Sequence, residues 1–332
     1  MKIRYDVISD VGRVRSNNED MALVFGAFVR DGADGSMVKM DSRPRFTALV
    51  ADGMGGYGGG EIASELTLRS FDQFIVNLAP DLDDTEVRVR LNQWLDTHQN
   101  LIRAEQQKPG LEQMGTTLTG IFTYGDREYM INAGDSRVYR WRNNNLRQLS
   151  VDHSERERLN DPSVPSNLIY NAIGVPDAFL TITDLTDRYP IVDGDTYVIC
   201  SDGLCDMIND DAIASILENG GGARELVDAA LEAGGKDNCT VIVLNISKPE
   251  AEEAPAEPVM QSEPAPETEM APEPLSVPEP EEAQEQDIAF VIDTPSEPAP
   301  PAFSPEEVVT EAPRPLFVHN EDNQETSRVI ST

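Results

Sequence analysis

The order of the apolar segments most strongly limits the folds that are open to this chain. Residues 61–78 and 84–106 both show apolar positions three and four residues apart, which predicts two consecutive helices. Four short apolar runs then lie between residues 116 and 149, separated by turn-forming residues. Two helices in succession exclude a simple alternation of strand and helix. The pattern therefore predicts an α+β fold, in which helices pack on antiparallel sheets.

Composition divides the chain into two parts. Residues 1–246 contain the apolar runs and only seven of the 23 prolines. Residues 247–332 contain the other 16 prolines, together with 21 acidic and three basic residues. The first part is long enough to bury a substantial core. The second has too few aromatic and branched apolar residues to do so, which predicts a disordered, Pro- and Glu-rich acidic tail.

The overall charge limits the possible partners. A formal net charge of −34 disfavours nucleic acid, because phosphate backbones attract lysine and arginine. No run of about 18 apolar residues predicts a membrane span, and the first residues lack the apolar stretch of a secretory signal. We therefore expect a cytoplasmic protein. Cys200, Cys205 and Cys239 lie in apolar contexts and are expected to be reduced core residues.

Carboxylates at the ends of predicted elements are the main chemical signal. Asp52 and Asp202 each follow an apolar strand and precede a glycine, and Glu19, Asp20 and Asp237 also lie at element ends. Mg²⁺ and Mn²⁺ prefer oxygen ligands of this kind. Two such ions about 3.5–4 Å apart share a carboxylate and activate a water molecule. Asp-Gly alone more often marks a turn, but four acidic segments together favour a site for divalent cations.

A glycine pattern offers a competing interpretation. Residues 53–58 match the G-x-G-x-x-G pattern of dinucleotide-binding folds, after a predicted strand and before a helix. A second helix follows where that fold needs a second parallel strand, and Asp72 lies inside the first helix. The Gly-Lys-Ser or Gly-Lys-Thr ending of a P-loop is also missing. A nucleotide cofactor is therefore the disfavoured alternative.

Seven segments, taken in order, resemble the motifs of the metal-dependent protein phosphatase family, also called the protein phosphatase 2C family, in its bacterial form. They are Asp10–Asp20, Val50–Gly56, Met114–Thr117, Asn132–Arg137, Asn171–Gly174, Ser201–Leu204 and Asp237–Thr240. The resemblance covers about residues 3–246. It implies two antiparallel β-sheets packed as a sandwich, with a pair of α-helices on each outer side, a four-layer αββα architecture.

The resemblance also implies a centre with two Mn²⁺ or Mg²⁺ ions. Asp52 would bridge the two ions, and Asp202 and Asp237 would complete the ligands of one of them. Glu19 and the backbone carbonyl of Gly53 would bind the other. Which of the two metals is used stays open.

Further residues receive roles from the same resemblance. Arg15 would hold the substrate phosphate, a role that suits a planar and always charged guanidinium group. Asp20 and Asn238 would support the ligands, and Asp135 would contribute to a weaker third metal. A surface position for Asp20 and a simple turn at Asp135 stay open. Met54 stands where some family members carry a histidine suggested as a general acid, so the identity of any general acid is also open.

The function implied is that of a protein serine/threonine phosphatase. Water would attack the phosphorus directly, the substrates would be phosphorylated proteins, and a Ser/Thr kinase would oppose the enzyme. A catalytically silent module that binds phosphorylated partners is the alternative. Such modules usually lose a ligand carboxylate, whereas Glu19, Asp52, Asp202 and Asp237 are all present.

Two segments outside these motifs bear on partners. Residues 152–176 correspond to the flap beside the active site of bacterial members and look short, which predicts altered substrate discrimination. The tail contains two apolar islands, Ile288–Ile292 and Leu316–Val318. Two interpretations of the tail stay open, a solvated linker or a segment that docks onto a protein partner.

Overall fold

The structure, a computed structural model, describes residues 2–39, 46–55 and 59–247. The tail predicted from residue 247 lies, after Ser247, outside the described residues. The strands are β1 (Lys2–Asp10), β2 (Met21–Val24), β3 (Ala27–Val29), β4 (Gly32–Lys39), β5 (Thr47–Ala51), β6 (Gly53–Met54), β7 (Gly115–Thr116), β8 (Leu118–Tyr124), β9 (Arg127–Ala133), β10 (Arg137–Arg142), β11 (Asn145–Gln148), β12 (Thr181–Asp184), β13 (Thr196–Cys200) and β14 (Cys239–Ser247). The helices are α1 (Gly59–Asn77), α2 (Asp84–Glu105), α3 (Glu155–Leu159), α4 (Leu185–Arg188), α5 (Asp202–Cys205), α6 (Asp210–Glu218) and α7 (Ala223–Glu232).

The strands form two six-stranded sheets and one short ribbon. The first sheet has the order β11-β10-β13-β14-β1-β4, and the second has the order β12-β9-β8-β5-β2-β3. Strands β6 and β7 pair separately. Every strand pairing among the described residues is antiparallel. Two neighbouring interior strands of the first sheet, β14 and β1, thus come from opposite ends of the described chain.

Three apolar layers hold these elements together. The layer between the two sheets includes Val7, Val50 and Ile199. A second layer joins the second sheet to α1 and α2, and a third joins the first sheet to α6 and α7. Burial of these apolar surfaces is the main driving force for folding. The predicted four-layer αββα architecture is confirmed.

Strand β5 shows how sequence produces this layering. All five of its residues are buried, since one face meets the other sheet and the opposite face meets the helices. Ala48 and Val50 face the first sheet, whereas Leu49 and Ala51 face α1 and α2. A strand covered on both faces is therefore mostly apolar rather than alternating. The neighbouring β8 is likewise buried over its whole length.

Two local features are not evident from the sequence pattern. The stretch after residue 32 has the polar composition of a loop, but β4 pairs with β1 as the edge strand of the first sheet. Edge strands can remain polar because they are partly exposed to solvent. Residues 21–29 form a hairpin rather than one strand, because Phe25 and Gly26 adopt φ angles of 48° and 80° that match a tight primed turn.

The chain's helices and cysteines add two observations. None of the helices in the described ranges is long and apolar enough to cross a lipid bilayer. Cys200 and Cys239 are buried in the layer between the first sheet and α6–α7, and Cys205 is partly exposed. All three are free thiols.

Candidate functional site

One end of the sandwich collects the carboxylates that the sequence singled out. Asp52 directly follows β5 and Asp202 lies just after β13, while Asp135 lies shortly after β9. Asp20 immediately precedes β2, and Asp237 lies just before β14. The negative charge of each of the other four raises the pKa of Asp52. Residues that are up to 217 positions apart in sequence therefore form one electrostatic cluster, which we call the carboxylate end.

Burial and like charge dominate the electrostatics of the carboxylate end. Burial is the largest cause of the raised pKa of Asp52, followed by the charges of the neighbouring aspartates. Burial also raises the pKa of Asp20 to about 7, although the Ser201 hydroxyl donates a hydrogen bond to its Oδ2 over 2.7 Å. The exposed fractions are only 5% for Asp52 and 0% for Asp20. Several ionised carboxylates in such a place are costly unless cations neutralise them.

Hydrogen bonds with Thr116 in β7 and with Thr117, the residue after it, fix the backbone of Asp52. Its N–H donates to Thr117 Oγ1, and its carbonyl accepts from the Thr117 N–H and from Thr116 Oγ1, each over 2.9 Å. Thr117 Oγ1 also lies 2.7 Å from the hydroxyl oxygen of Ser136, the neighbour of Asp135. These buried hydrogen bonds set the position of Asp52 relative to Asp135.

The glycines after Asp52 are explained by close packing. A Cβ atom on Gly53 would lie 2.2 Å from the carbonyl oxygen of Gly60 and 2.5 Å from that of Glu19. A Cβ atom on Gly60 would lie 2.8 Å from both the carbonyl oxygen of Gly53 and the carboxyl carbon of Glu19. Only glycine allows the first turn of α1 to approach this closely. The approach brings the Gly53 carbonyl and the Glu19 carboxylate to the same place, and it accounts for Gly53, the first glycine of the pattern, without a dinucleotide.

Asn238 ties the loop before β2 to the start of β14. Its Oδ1 accepts a hydrogen bond from the Glu19 N–H over 2.9 Å. Its Nδ2 donates to the carbonyls of Val11 and Asn17, each over 2.9 Å. The side chain is only 6% exposed. Asn238 therefore fixes the backbone that carries Glu19 and Arg15.

Arg15 and Asp237 contact one another in this structure. Arg15 Nη2 donates to Asp237 Oδ2 over 2.6 Å, and both side chains are partly exposed. The sequence assigned these residues to different partners, a phosphate and a metal. Within residues 2–39, 46–55 and 59–247, no three His, Cys, Asp or Glu side chains are arranged as a complete metal-ligand group. The donors nevertheless fit Mn²⁺ or Mg²⁺, because these ions prefer carboxylate and backbone carbonyl oxygens as ligands. Such cations would also neutralise the buried excess of negative charge.

Ser201 is a site residue that the sequence did not single out. Its hydroxyl donates to Asp20 and accepts from the Thr240 N–H over 3.0 Å. It thereby joins Asp20 to the segment that carries Asp202. The only sequence signal was its place next to Asp202 in the Ser-Asp-Gly segment.

Two side chains near the site are unsuited to proton transfer. Met54 is buried against Ile169 and Val175, so its position is apolar. His153 Nδ1 accepts a hydrogen bond from the Gly134 N–H, and Nε2 faces a threonine hydroxyl at 3.1 Å. Burial lowers the pKa of His153 to about 4. His153 is therefore a neutral structural residue at ordinary pH.

Comparisons with known proteins agree with this geometry. Residues 26–220 match the family model described as Protein phosphatase 2C. The chain is 34% identical over 258 residues to the serine/threonine protein phosphatase PstP of Mycobacterium tuberculosis, covering 74% of this chain and 45% of PstP. It thus spans about half the length of that relative.

A second relative and one solved structure match over nearly their whole length. The serine/threonine phosphatase stp of Listeria welshimeri is 29% identical, with 71% of this chain and 93% of that protein covered. Among solved structures, the PstP catalytic domain in complex with two manganese ions is 30% identical, with a TM-score of 0.58. That match covers 75% of this chain and 100% of the solved chain.

Proposed function

Because the chain belongs to the protein phosphatase 2C family, we propose that it removes phosphate from phosphoserine and phosphothreonine residues of other proteins. One observation carries this proposal. Buried aspartates from distant segments meet at one end of the sandwich, and the guanidinium group of Arg15 lies beside them. We assign this activity to the domain formed by residues 1–246.

We further propose that the carboxylate end binds two Mn²⁺ or Mg²⁺ ions. Asp52 would hold both ions, Asp202 and Asp237 would complete one ligand set, and Glu19 and the Gly53 carbonyl would complete the other. The close approach of Gly53 and Glu19 supports the second set. The two manganese ions in the PstP catalytic domain support the number of ions. Bound as a pair, such cations activate water and neutralise the charge of the phosphoryl group.

The chain's own residues supply positioning around this centre. Arg15 exchanges Asp237 for the substrate phosphate, whose oxygens match the two parallel N–H donors of a guanidinium group. Asn238 fixes the backbone that carries Glu19 and Arg15 next to the start of β14. Asp20 is linked to the segment that carries Asp202 through the Ser201 hydroxyl. We also propose that Asp135, next to the Thr117–Ser136 contact, would contribute to a weaker third ion.

The remaining requirements of the reaction concern the proton and the partners. Neither Met54 nor His153 supplies a proton, so the leaving oxygen of the serine or threonine is protonated from another source. The substrates are phosphorylated proteins in the cytoplasm, and a Ser/Thr kinase opposes the enzyme. The silent binding module receives no support from the site, because the four proposed ligand carboxylates are all present.

The test is hydrolysis of a phosphothreonine peptide by the full chain with Mn²⁺, with and without EDTA. We expect phosphate release that EDTA abolishes and that the Asp52→Asn variant lacks. Asp96→Asn, an exposed position on α2, is the matched control and should retain full activity. A folded, Mn²⁺-loaded wild-type chain that releases no phosphate would refute the proposal and leave the silent module.

A further inference from the structure

Three guanidinium groups surround one aromatic ring at the opposite end of the first sheet. The guanidinium carbons of Arg147, Arg188 and Arg140 lie 5.0, 5.4 and 5.9 Å from the centre of the Tyr189 ring. Arg147 also donates to the Tyr189 hydroxyl over 3.3 Å. These arginines come from β11, the end of α4 and β10. We call them the guanidinium cluster.

Among the described side chains, no carboxylate forms an ion pair with the guanidinium cluster. Arg140 and Arg147 lie directly opposite one another across β10 and β11, an arrangement that like charges destabilise. None of the three arginines forms an ion pair with a described side chain, whereas neighbouring Arg142 binds Asp195 through two contacts of 2.5 and 2.7 Å. Nε of Arg140 is buried and has no hydrogen-bond partner among the described residues.

This excess of positive charge stands out against the rest of the chain. The sequence contains 60 acidic and 26 basic residues, and yet no carboxylate neutralises these three groups in the described structure. Contact with a tyrosine ring lowers the cost of bringing cations together, but it does not cancel their charge. The arrangement is therefore complementary to an anion.

The position of the cluster is accessible and distinct from the carboxylate end. Strand β11 is the edge of the first sheet, and Arg147 and Arg188 are exposed. Arg140 pairs with Tyr197 on β13, five residues before Asp202. At about 3.3 Å per extended residue, the five residues from Tyr197 to Asp202 span at most roughly 16 Å. An extended peptide of about six residues would span that distance.

We propose that the guanidinium cluster binds an anionic side chain of the protein substrate, carboxylate or phosphate, about six residues or more from the hydrolysed phosphoresidue. The proposal rests on the proposed phosphatase function. Guanidinium groups match the paired oxygens of both anions, and three of them converge on one exposed place. The cluster thus selects acidic or multiply phosphorylated substrates.

The test measures binding without turnover. Fluorescence anisotropy of the full chain in EDTA compares three labelled phosphothreonine peptides that differ only at one position about six residues away. That position carries phosphoserine, glutamate or alanine. The cluster variant combines Arg147→Gln with Arg188→Gln. The control variant combines Arg90→Gln with Arg103→Gln, which removes the same charge from exposed positions on α2.

We expect wild type and control to bind the phosphoserine and glutamate peptides about tenfold more tightly than the alanine peptide. The cluster variant should bind all three alike. If wild type shows no preference, or if the control loses the preference as fully as the cluster variant, the proposal is overturned. A preference for phosphoserine alone assigns the site to phosphate, and an equal preference assigns it to anions in general.

Two further measurements separate the alternatives. The variant Glu250→Gln/Glu252→Gln/Glu253→Gln tests whether the chain's own acidic sequence occupies the cluster. If this variant prefers the anionic peptides and wild type does not, the proposal is overturned. Hydrolysis of p-nitrophenyl phosphate with Mn²⁺ is measured on the same proteins. Its absence in wild type would overturn the proposed phosphatase function, whereas the binding preference is read independently of hydrolysis.

Discussion

The two ends of the first sheet carry opposite charges in different surroundings. At one end, Asp202 and its neighbouring aspartates are mostly buried, and hydrogen bonds fix the backbone around them. At the other end, Arg147 and Arg188 are exposed around Tyr189. Strands β10 and β13 run between the two ends. A buried excess of charge admits only small counter-ions, whereas an exposed one admits a partner's side chain, so the same strands present two kinds of binding site.

The largest expected difference between the two ends concerns hydrolysis of a small substrate. Asp52→Asn should lower kcat/KM for p-nitrophenyl phosphate on the order of 10³-fold, because an amide carries no charge to hold and bridge cations. Arg147→Gln should leave this value unchanged, since a small substrate does not reach the guanidinium cluster. Steady-state kinetics with Mn²⁺ checks both. Comparable losses in the two variants would abolish the functional distinction between the ends.

Cation binding should stabilise only the carboxylate end. At a Mn²⁺ concentration 100 times its dissociation constant, stability should rise by about 2.7 kcal/mol. For a domain of this size, Tm should rise by about 5–10 °C. The variant Asp52→Asn/Asp202→Asn should lose this shift, while Arg147→Gln/Arg188→Gln should keep it. Differential scanning calorimetry measures both, and a shift retained by the double aspartate variant would contradict the assigned ligands.

Asparagines near the two ends of β14 provide a smaller comparison. Asn238→Ala removes three partly buried hydrogen bonds and should cost about 2 kcal/mol of the free energy of unfolding. Asn245→Ala removes one contact, in which Thr196 Oγ1 donates to Asn245 over 3.1 Å, and should cost less than about 1 kcal/mol. Urea unfolding measures both. Equal costs would show that the carboxylate end is no more tightly organised than the other end.

The smallest expected effect is that of Arg140→Gln, which should increase the free energy of unfolding rather than decrease it. Arg140→Gln removes a like-charge pair across β10 and β11. The free energy of unfolding should therefore rise by roughly a few tenths of a kcal/mol. The gain should shrink as NaCl screens the remaining charges. Urea unfolding at low and high salt tests this. A loss above about 1 kcal/mol would mean that Arg140 has a stabilising partner.

The sequence predicted features that local pattern determines. Asp52 and Asp202 could be singled out because each follows an apolar strand and precedes a glycine, and the structure brings them close enough for their charges to interact. The two consecutive helices and the run of short strands likewise predicted the α+β class. Periodicity and turn chemistry are properties of neighbouring residues, so they can be detected without knowledge of the tertiary structure.

Features that depend on long-range register could not be predicted in this way. Arg15 and Asp237 are 222 residues apart, and nothing in either segment indicates that they form an ion pair. The cluster of Arg147 and Arg188 depends on the contact of Tyr189, at the end of α4, with Arg147 of β11. Strand β4 could not be predicted because its polar composition resembles a loop, and its pairing with β1 becomes visible only in the sheet.

The place of β14 in the first sheet has a consequence for synthesis of the protein. Strand β14 lies between β13 and β1, and its residues pair with β1 from Asp10↔Cys239 to Lys2↔Ser247. Asp237 and Asn238 reach Arg15 and Glu19 only when this last strand is in place. A ribosome-bound chain that lacks it would leave the centre of the sheet open and the carboxylate end incomplete. The phosphatase activity that we propose would therefore be absent on the ribosome until synthesis had passed Ser247.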